Sequence, residues 1–400
     1  MNRYRRGFAG IGALVLWLAA QPAPAAPDAF RPVRPVVRQA SAPASAVSFD
    51  ETARFLSGLP CTSESLRKLQ ETPAGAAFMA AMDRAWADLE ANRLKPMRAW
   101  AAVELAEARA ATKTLFYPFG GPDFLTSFEL FPDAETHILL GLEFVGRLPD
   151  AAAFTPERAA GYARAVEGAL SDFFKKSYFI THNMDATLGR DQVDGVLPIL
   201  CLFLERTGSR ILAVKRCEFL ATGEMMESAV VYPAKRQYRP YGVKVEYQAG
   251  AGGAAKSLYY FSCDLADKVF KLESALYRYM DALTFESTFI KSASYLMHYD
   301  TFVNIRDLVL AKSRFVLEDD TGIPFRFFMP DTWRARLYGE YIKPVKDFSG
   351  VEQRDLKAAY SDPASDVRKL PFHLGYHWGT NKDSYLYFER LDVPANGAAR

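Results

Sequence analysis

Apolar residues recur at spacings of three and four through the first folded segment, which predicts amphipathic helices between residues 49 and 109. A turn at residues 94–96, which include a proline, is expected to divide this segment into an antiparallel helix pair. We therefore predict a helical cap over residues 48–112. The apolar stripe behind this prediction comprises Phe78, Met82, Trp86 and Leu89.

A different pattern fills residues 113–220, where short apolar runs alternate with helical periodicity. This alternation is typical of βαβ units. We predict an α/β fold with a Rossmann-like, mostly parallel sheet. The predicted elements are strands 114–119, 136–142 and 210–219 and helices 122–131, 155–176 and 192–206, with residues 177–181 as a further candidate strand.

Residues 221–392 form a mixed, aromatic-rich C-terminal half, which we expect to continue the core. Two runs of alternating polarity, 241–248 and 256–265, flank a loop rich in Gly and Ala and predict a hairpin. Helical patterns predict helices over residues 266–283 and 287–311. Strands are predicted in the runs RFVLEDDTGIPFRFF, RARLYGEYI and SYLYFERL.

The first residues have the layout of a signal peptide. Three arginines precede an apolar run of 13 residues, Phe8 to Ala20, and Ala23-Pro24-Ala25 follows it. Because roughly 20 residues are needed to span a bilayer, we expect a signal peptide over residues 1–25 and no transmembrane anchor in the mature chain. Residues 26–47, rich in Pro, Ala and Ser, are expected to be a disordered leader. The predicted location is periplasmic or secreted.

Composition narrows the classes of partner. Half of the 400 residues are hydrophobic, which is enough for a large core. The formal charge of +2 becomes −1 when residues 1–25 are removed, because they hold three arginines and no acid. A nearly neutral chain has no electrostatic reason to bind nucleic acid, so we expect an unknown ligand or an envelope partner instead.

The stretch from Thr114 to Glu143 reads as strand, glycine turn, helix, strand and acidic end. Gly120-Gly121 lies where a Rossmann-like first strand leads into its helix, and Glu143 stands where such folds bind a ribose hydroxyl. The stretch resembles class I methyltransferases and, more loosely, dinucleotide-binding domains. The resemblance makes Gly120, Gly121 and Glu143 candidate cofactor-binding residues.

The same stretch departs from both classes of protein. It lacks G-x-G-x-x-G, Pro122 removes one N–H donor, and Asp123 adds negative charge where a phosphate would bind. S-adenosylmethionine is compatible with an acid at this position, because its amino and sulfonium groups are cationic. An exported chain, however, encounters little S-adenosylmethionine or nicotinamide cofactor. We therefore expect no cofactor and a plain strand-to-helix turn, with Pro122 at the first helical position.

A polar loop, THNMDATLGRDQVDGVLP, separates a predicted strand end from a helix. In an open α/β sheet such loops line the ligand crevice, so His182 and Asp191 would converge there with Asp123 and Glu143. The alternative is a solvated loop in which Asp191 or Asp194 caps the next helix.

The run LEDDTGIP places Asp319 and Asp320 together before a turn. Adjacent carboxylates hold a cation or divide acid and base roles, as in glycosidases. The alternative is an exposed hairpin tip. The candidate catalytic residues are thus Asp123, His182, Asp191, Asp319 and Asp320.

Four cysteines remain to be assigned. An oxidising compartment permits disulfides and four cysteines allow three complete pairings, but buried thiols are the alternative for Cys201 and Cys217, which lie in apolar runs. None of the four has the spacing of a metal site, so no metal is expected.

As a whole the chain resembles uncharacterised exported bacterial proteins, through YPFGGPDFL at residues 117–125 and LEDDTGIPFRFF at residues 317–328. This resemblance implies no known activity. Our hypothesis is a non-catalytic binding or structural protein of the cell envelope. The alternative is an exported hydrolase or transferase that uses Asp and His residues at the carboxyl ends of the strands.

Overall fold

A computed structural model describes residues 48–179, 193–229, 241–250, 252–377 and 383–391. The predicted signal peptide and leader lie outside these ranges. The α-helices are α1 Phe49–Leu56, α2 Glu64–Gln70, α3 Pro73–Leu89, α4 Lys95–Glu104, α5 Ala106–Ala111, α6 Phe124–Leu130, α7 Pro156–Lys176, α8 Leu197–Arg206, α9 Ala275–Ala282, α10 Val303–Lys312 and α11 Arg354–Ser361. The strands are β1 Thr114–Tyr117, β2 Thr136–Gly141, β3 Ser209–Phe219, β4 Met225–Ala229, β5 Tyr241–Ala249, β6 Ala255–Ser262, β7 Ser287–Ile290, β8 Phe315–Asp319, β9 Trp333–Gly339 and β10 Ser384–Arg390.

The N-terminal helices begin at residues that suit a helix start. Ser48 caps α1, and Thr72 caps α3 with Pro73 in its first turn. The predicted helix pair at residues 94–96 is wrong, because a π-helical turn at Glu90–Leu94 carries the backbone from α3 into α4. Pro96 lies in the first turn of α4, where its missing N–H costs little.

All ten strands belong to one sheet in the order β4-β3-β5-β6-β2-β1-β7-β8-β10-β9. The five strands from β6 to β8 are parallel, and antiparallel strands extend the sheet on both sides. The α/β class is confirmed. A mostly parallel sheet is not, because five of the nine strand pairs are antiparallel.

Burial of the strands differs along the sheet. The parallel strands β7 and β8 are buried at every residue, whereas the flanking β3 alternates between buried and exposed positions. Antiparallel strands tolerate a solvated face, and parallel strands need helices on both faces. The centre of the sheet is therefore covered on both faces, and the cover extends to the first five residues of the antiparallel β10, while β3 and β4 are more exposed.

Two hydrophobic cores lie on the two faces of the sheet. Leu115 and Tyr117 of β1 pack into the core shared with α3, α7 and α8, while Phe116 packs into the core shared with α9 and α10. All three residues are at most 1% exposed. Because successive side chains of a strand point to opposite faces of the sheet, the position of each β1 residue decides which of the two cores it enters.

The C-terminal half agrees with the predicted hairpin and differs in its helices. β5 and β6 pair antiparallel, as predicted. The predicted helix over residues 287–311 is wrong at its start, where β7 pairs with β1 and β8, and helix α10 begins only at Val303. Within the described ranges, no helix is both long and apolar enough to cross a bilayer.

Candidate functional site

A crevice of about 700 Å³ opens at the carboxyl ends of four neighbouring parallel strands, β6, β2, β1 and β7. Open α/β sheets bind ligands at this edge. The loops after these strands supply most of the lining residues. Aromatic residues from other segments of the chain supply the rest of the wall. The lining residues include Tyr117, Phe119, Gly120, Gly121, Asp123, Leu142, Glu143, Tyr178, Phe179, Asp264, Lys291, Ser292, Ser294, Phe302, Phe348 and Tyr376.

Glycine is required where the loop after β1 crosses the end of β2. Gly121 has a φ of +52°, and its N–H donates to the Leu140 carbonyl at 3.2 Å. A Cβ added to Gly141 would lie 2.9 Å from the Gly121 Cα and 2.7 Å from Glu143 Oε2. The predicted glycine turn therefore packs directly against the acidic end of β2.

Glu143 sits in the crevice with only 6% of its surface exposed. The Tyr260 hydroxyl donates to the Glu143 backbone carbonyl at 2.7 Å and lies 3.4 Å from its Oε2. A carboxylate has about four acceptor positions, and hydroxyl groups are suitable donors to them.

Asp123 forms a buried ion pair as well as a helix cap. Its Oδ1 accepts from the Thr126 N–H at 3.2 Å, which makes Asp123 the N-cap of α6. Its Oδ2 accepts from Tyr117 at 3.1 Å and from Lys291 at 2.5 Å. Pro122 precedes the cap, so its predicted place as the first helical residue is wrong. The charge of Asp123 is already balanced by Lys291.

Lys291, directly after β7, is 2% exposed and lines the crevice. Its ammonium also donates to the Ser177 carbonyl at 2.5 Å and lies 5.8 Å from the centre of the Phe173 ring. Burial lowers the pKa of Lys291, an effect that Asp123 opposes and the nearby Arg93 reinforces.

The loop after Lys291 adopts a backbone that L-amino acids rarely take. Ser292, Ser294 and Tyr295 have φ values of +52°, +53° and +55°. Hydrogen bonds hold this loop in place. The Ser292 N–H donates to Asp319 Oδ2 at 2.9 Å, and the Tyr295 hydroxyl donates to Asp320 Oδ2 at 2.5 Å. Non-glycine residues at positive φ cluster at functional sites, where surrounding contacts impose them.

Asp319 and Asp320 are buried, so the exposed hairpin tip is wrong. They are 3% and 4% exposed, because β8 pairs with the distant β10 instead of with the segment that follows it. Burial raises the pKa of Asp319 to about 7 and that of Asp320 to about 6. Neither lines the crevice, but Asp319 contacts Ser292, which does.

A third buried carboxylate, Asp383, lies next to this pair. His373 Nδ1 is 2.9 Å from Asp383 Oδ2, and burial raises the pKa of Asp383 to about 6. In the described part of the chain, Asp383 Oδ1 and the Tyr385 hydroxyl have no hydrogen-bond partner. These groups lie behind the crevice loop.

Aromatic rings form much of the crevice wall. The Tyr178 and Tyr376 rings meet edge to face with centroids 4.9 Å apart, and the Phe348 ring stacks on Tyr376 at 5.6 Å. The Tyr376 hydroxyl donates to the Ser292 carbonyl and is 2.9 Å from Ser294 Oγ. Such a wall offers flat faces for a ligand ring.

The predicted site residues divide into three groups. Gly120, Gly121, Asp123 and Glu143 all line the crevice. Asp319 and Asp320 stand behind it, and His182 and Asp191 lie outside the described residues. Sequence reasoning misses Lys291, because the pattern of residues 287–311 predicts a helix where the structure has β7. A lysine directly after a buried strand is the signal that could have found it.

The cysteines and the possible metal ligands are the remaining candidates for chemistry. All four cysteines are free and buried, and burial raises the pKa of the crevice residue Cys263 to about 12. Among the residues that the structure describes, no three His, Cys, Asp or Glu side chains are arranged to hold a metal ion.

Comparison with protein-family models, with curated proteins and with solved structures finds no match. The crevice therefore has to be interpreted through its own chemistry. It combines the carboxylates of Asp123, Glu143 and Asp264, an ammonium paired with Asp123, and aromatic walls. That combination suits a small ring-containing ligand with polar substituents.

Proposed function

We propose that this is an exported, non-catalytic binding protein of the cell envelope, whose crevice takes a small neutral ligand with a ring and neighbouring hydroxyl groups. The central strands support a Rossmann-like core for this purpose. Numbered in chain order, the parallel strands β6, β2, β1, β7 and β8 run 3-2-1-4-5, which is the Rossmann order up to its fifth strand.

Glu143 is the observation that carries the proposal. It follows Gly121 by 22 residues, at the end of the second strand, where Rossmann-like folds use an acid to bind a ribose hydroxyl. The glycine turn and the acid line the same crevice. A partly desolvated carboxylate accepts strong hydrogen bonds from hydroxyl groups.

The ligand is expected to be neutral, because the charge at the turn is already balanced. Asp123 occupies the N-terminus of α6, the place where a phosphate would bind, and pairs with Lys291. A free phosphate or pyrophosphate would face both Asp123 and Glu143. This argument also disfavours NAD and NADP.

Export supports a binding role over cofactor chemistry. The charged, apolar and small-residue order of residues 1–25 favours processing near Ala26 and a periplasmic or secreted chain. Nicotinamide cofactors and S-adenosylmethionine are scarce outside the cytoplasm, whereas ring-containing polyols are common envelope constituents.

Calorimetry and thermal-shift measurements with uridine, adenosine, N-acetylglucosamine, glucose and NAD test the proposal. At least one neutral polyol should bind, and Glu143→Gln should weaken it about 10- to 100-fold, since a hydrogen bond to a charged group contributes about 1.5 to 3 kcal/mol. The exposed Glu273→Gln is the matched control. The proposal would be overturned if NAD alone bound, or if Glu143→Gln left the affinity for the ligand unchanged.

A hydrolase or transferase is the second candidate, and the buried pair of Lys291 and Asp123 favours it. A lysine with a lowered pKa beside a carboxylate and the Tyr117 hydroxyl is suited to proton transfer. Mass spectrometry of a bound ligand after incubation separates the two candidates. Conversion of the ligand would favour the enzyme, and its recovery intact would favour the binding protein.

A further inference from the structure

Lys291 has one more hydrogen-bond donor than its partners among the described residues use. An ammonium has three N–H groups. In the part of the chain that the structure describes, two of them are assigned, to Asp123 Oδ2 and to the Ser177 carbonyl. The side chain is 2% exposed and lines the crevice.

An unpaired N–H on a buried cation is costly. A buried donor without an acceptor keeps the full cost of losing its water, and this cost is larger when the group is charged. Lys291 lines the crevice, and the centre of the Phe173 ring lies 5.8 Å from its ammonium. An acceptor atom placed in the crevice would satisfy the remaining N–H.

We propose that Lys291 donates this N–H to a carbonyl oxygen of the ligand. The crevice then selects a molecule with neighbouring hydroxyl groups for Glu143 and a neutral carbonyl group for Lys291. This inference rests on the proposed function and names the chemical class of its ligand.

The charges around Lys291 favour a carbonyl over an anion. Asp123 lies 2.5 Å from the ammonium and neutralises it. Glu143 and Asp264 line the same crevice, so an anionic ligand would meet three carboxylates and a single lysine among the lining residues described. A carbonyl oxygen accepts the hydrogen bond without adding another negative charge.

The loop after Lys291 holds the donor in position. The Ser292 N–H is bound to Asp319, and the Ser292 carbonyl accepts from Tyr376. These bonds fix the backbone on the C-terminal side of Lys291, and β7 fixes it on the other side. A donor on such a rigid support loses little entropy when a ligand binds.

Two sources present this chemistry, a pyrimidine nucleoside and an acylated amino sugar. Calorimetry with two probe pairs separates them. Uridine and adenosine share the ribose, and only uridine has base carbonyls. N-acetylglucosamine and glucose share the sugar ring, and only N-acetylglucosamine has an amide carbonyl.

We expect the carbonyl-bearing member of one pair to bind at least tenfold more tightly than its partner. The variant with both Lys291→Met and Asp123→Asn should lose this preference, since it removes both charges of the buried pair and leaves neither unpaired. Lys256→Met is the matched control, because Lys256 is a half-buried lysine that does not line the crevice. Its preference should match that of the parent protein.

Each alternative outcome is decisive. Equal binding within both pairs, still sensitive to Glu143→Gln, would overturn the carbonyl subsite and leave the proposed function standing. A preference that persists in the folded double variant would also overturn it. Binding of none of the four probes would overturn both proposals.

Discussion

Two loops leave neighbouring parallel strands and both form the crevice, but they differ in how many residues with a side chain they hold at positive φ. After β1, positive φ values fall on Gly121, which has no Cβ, and on Phe119, whose φ is +60°. After β7, three such values fall on Ser292, Ser294 and Tyr295. Surrounding contacts must therefore hold one residue with a side chain at positive φ in the first loop and three in the second.

The restraint on the second loop comes from the end of β8. Asp319 and Asp320 accept hydrogen bonds from Ser292 and Tyr295, and Thr321 Oγ1 accepts from the Ala293 N–H at 2.7 Å. The carboxylates that the sequence suggested as acid and base thus act on the crevice from behind, by fixing the loop that carries Lys291.

The ion pair between the two loops should give the largest effect. Lys291→Met is expected to lower the free energy of unfolding by about 3 to 5 kcal/mol, because Asp123 then stays buried without its cation. Asp123→Asn alone should destabilise for the reciprocal reason. Urea unfolding measures both changes.

The double variant is the control for this prediction. Lys291→Met together with Asp123→Asn removes both charges while Asn keeps the helix cap, so most of the lost stability should return. If Lys291→Met alone lowered the free energy of unfolding by less than about 1 kcal/mol, the result would contradict the energetic coupling of the two loops.

The second prediction concerns pH and the carboxylates behind the loop. Burial raises the pKa of Asp319 to about 7, so between about pH 4 and 7 the folded state holds a proton that the unfolded state releases. Stability from this group is therefore present at low pH and is lost as pH rises through 7, by an amount on the order of a few kcal/mol.

Comparison with a variant isolates this contribution. The raised pKa values of Asp320 and Asp383 also make stability fall as pH rises. His298 has the opposite effect, because burial lowers its pKa to about 4. Asp319→Asn should therefore flatten the fall in stability between pH 5 and 8 relative to the parent protein. If the free energy of unfolding depended on pH equally in the Asp319→Asn variant and in the parent protein, this role for Asp319 would be ruled out.

The third prediction tests the glycine loop. Gly121→Val should destabilise by about 1 to 3 kcal/mol, because a β-branched residue is strained at positive φ. Its Cβ would also lie 3.4 Å from Glu143 Oε2. Gly168→Val in α7 is the control, since nothing lies within 4 Å of its added Cβ. Equal melting temperatures for the two variants would show that Gly121 is dispensable.

The difference between the loops also explains what the sequence could predict. Gly120-Gly121 and Glu143 were recognisable because glycine spacing and a strand-end acid are local signals. The loop after β7 has no glycine, and the four residues of β7 fall within residues 287–311, whose pattern predicts a helix. The burial of Asp319 depends on Tyr385, its partner in the β8 and β10 register, 66 residues away. Contacts at that separation leave no local trace.

The smallest effect should come from relieving the strain in the second loop. Ser292→Gly is expected to raise the free energy of unfolding by up to about 1 kcal/mol, since the strain it removes slightly exceeds the entropy that a glycine loses on folding. The Ser292 Oγ has no hydrogen-bond partner among the residues described, so the substitution breaks no bond there. Ser294→Gly is the comparison, because it relieves similar strain but loses the bond to Tyr376 and should gain less. Differential scanning calorimetry of both variants measures the order. A clear loss of stability in Ser292→Gly would mean that the contacts of this loop favour its conformation without strain, and that the two loops differ in sequence but not in energy.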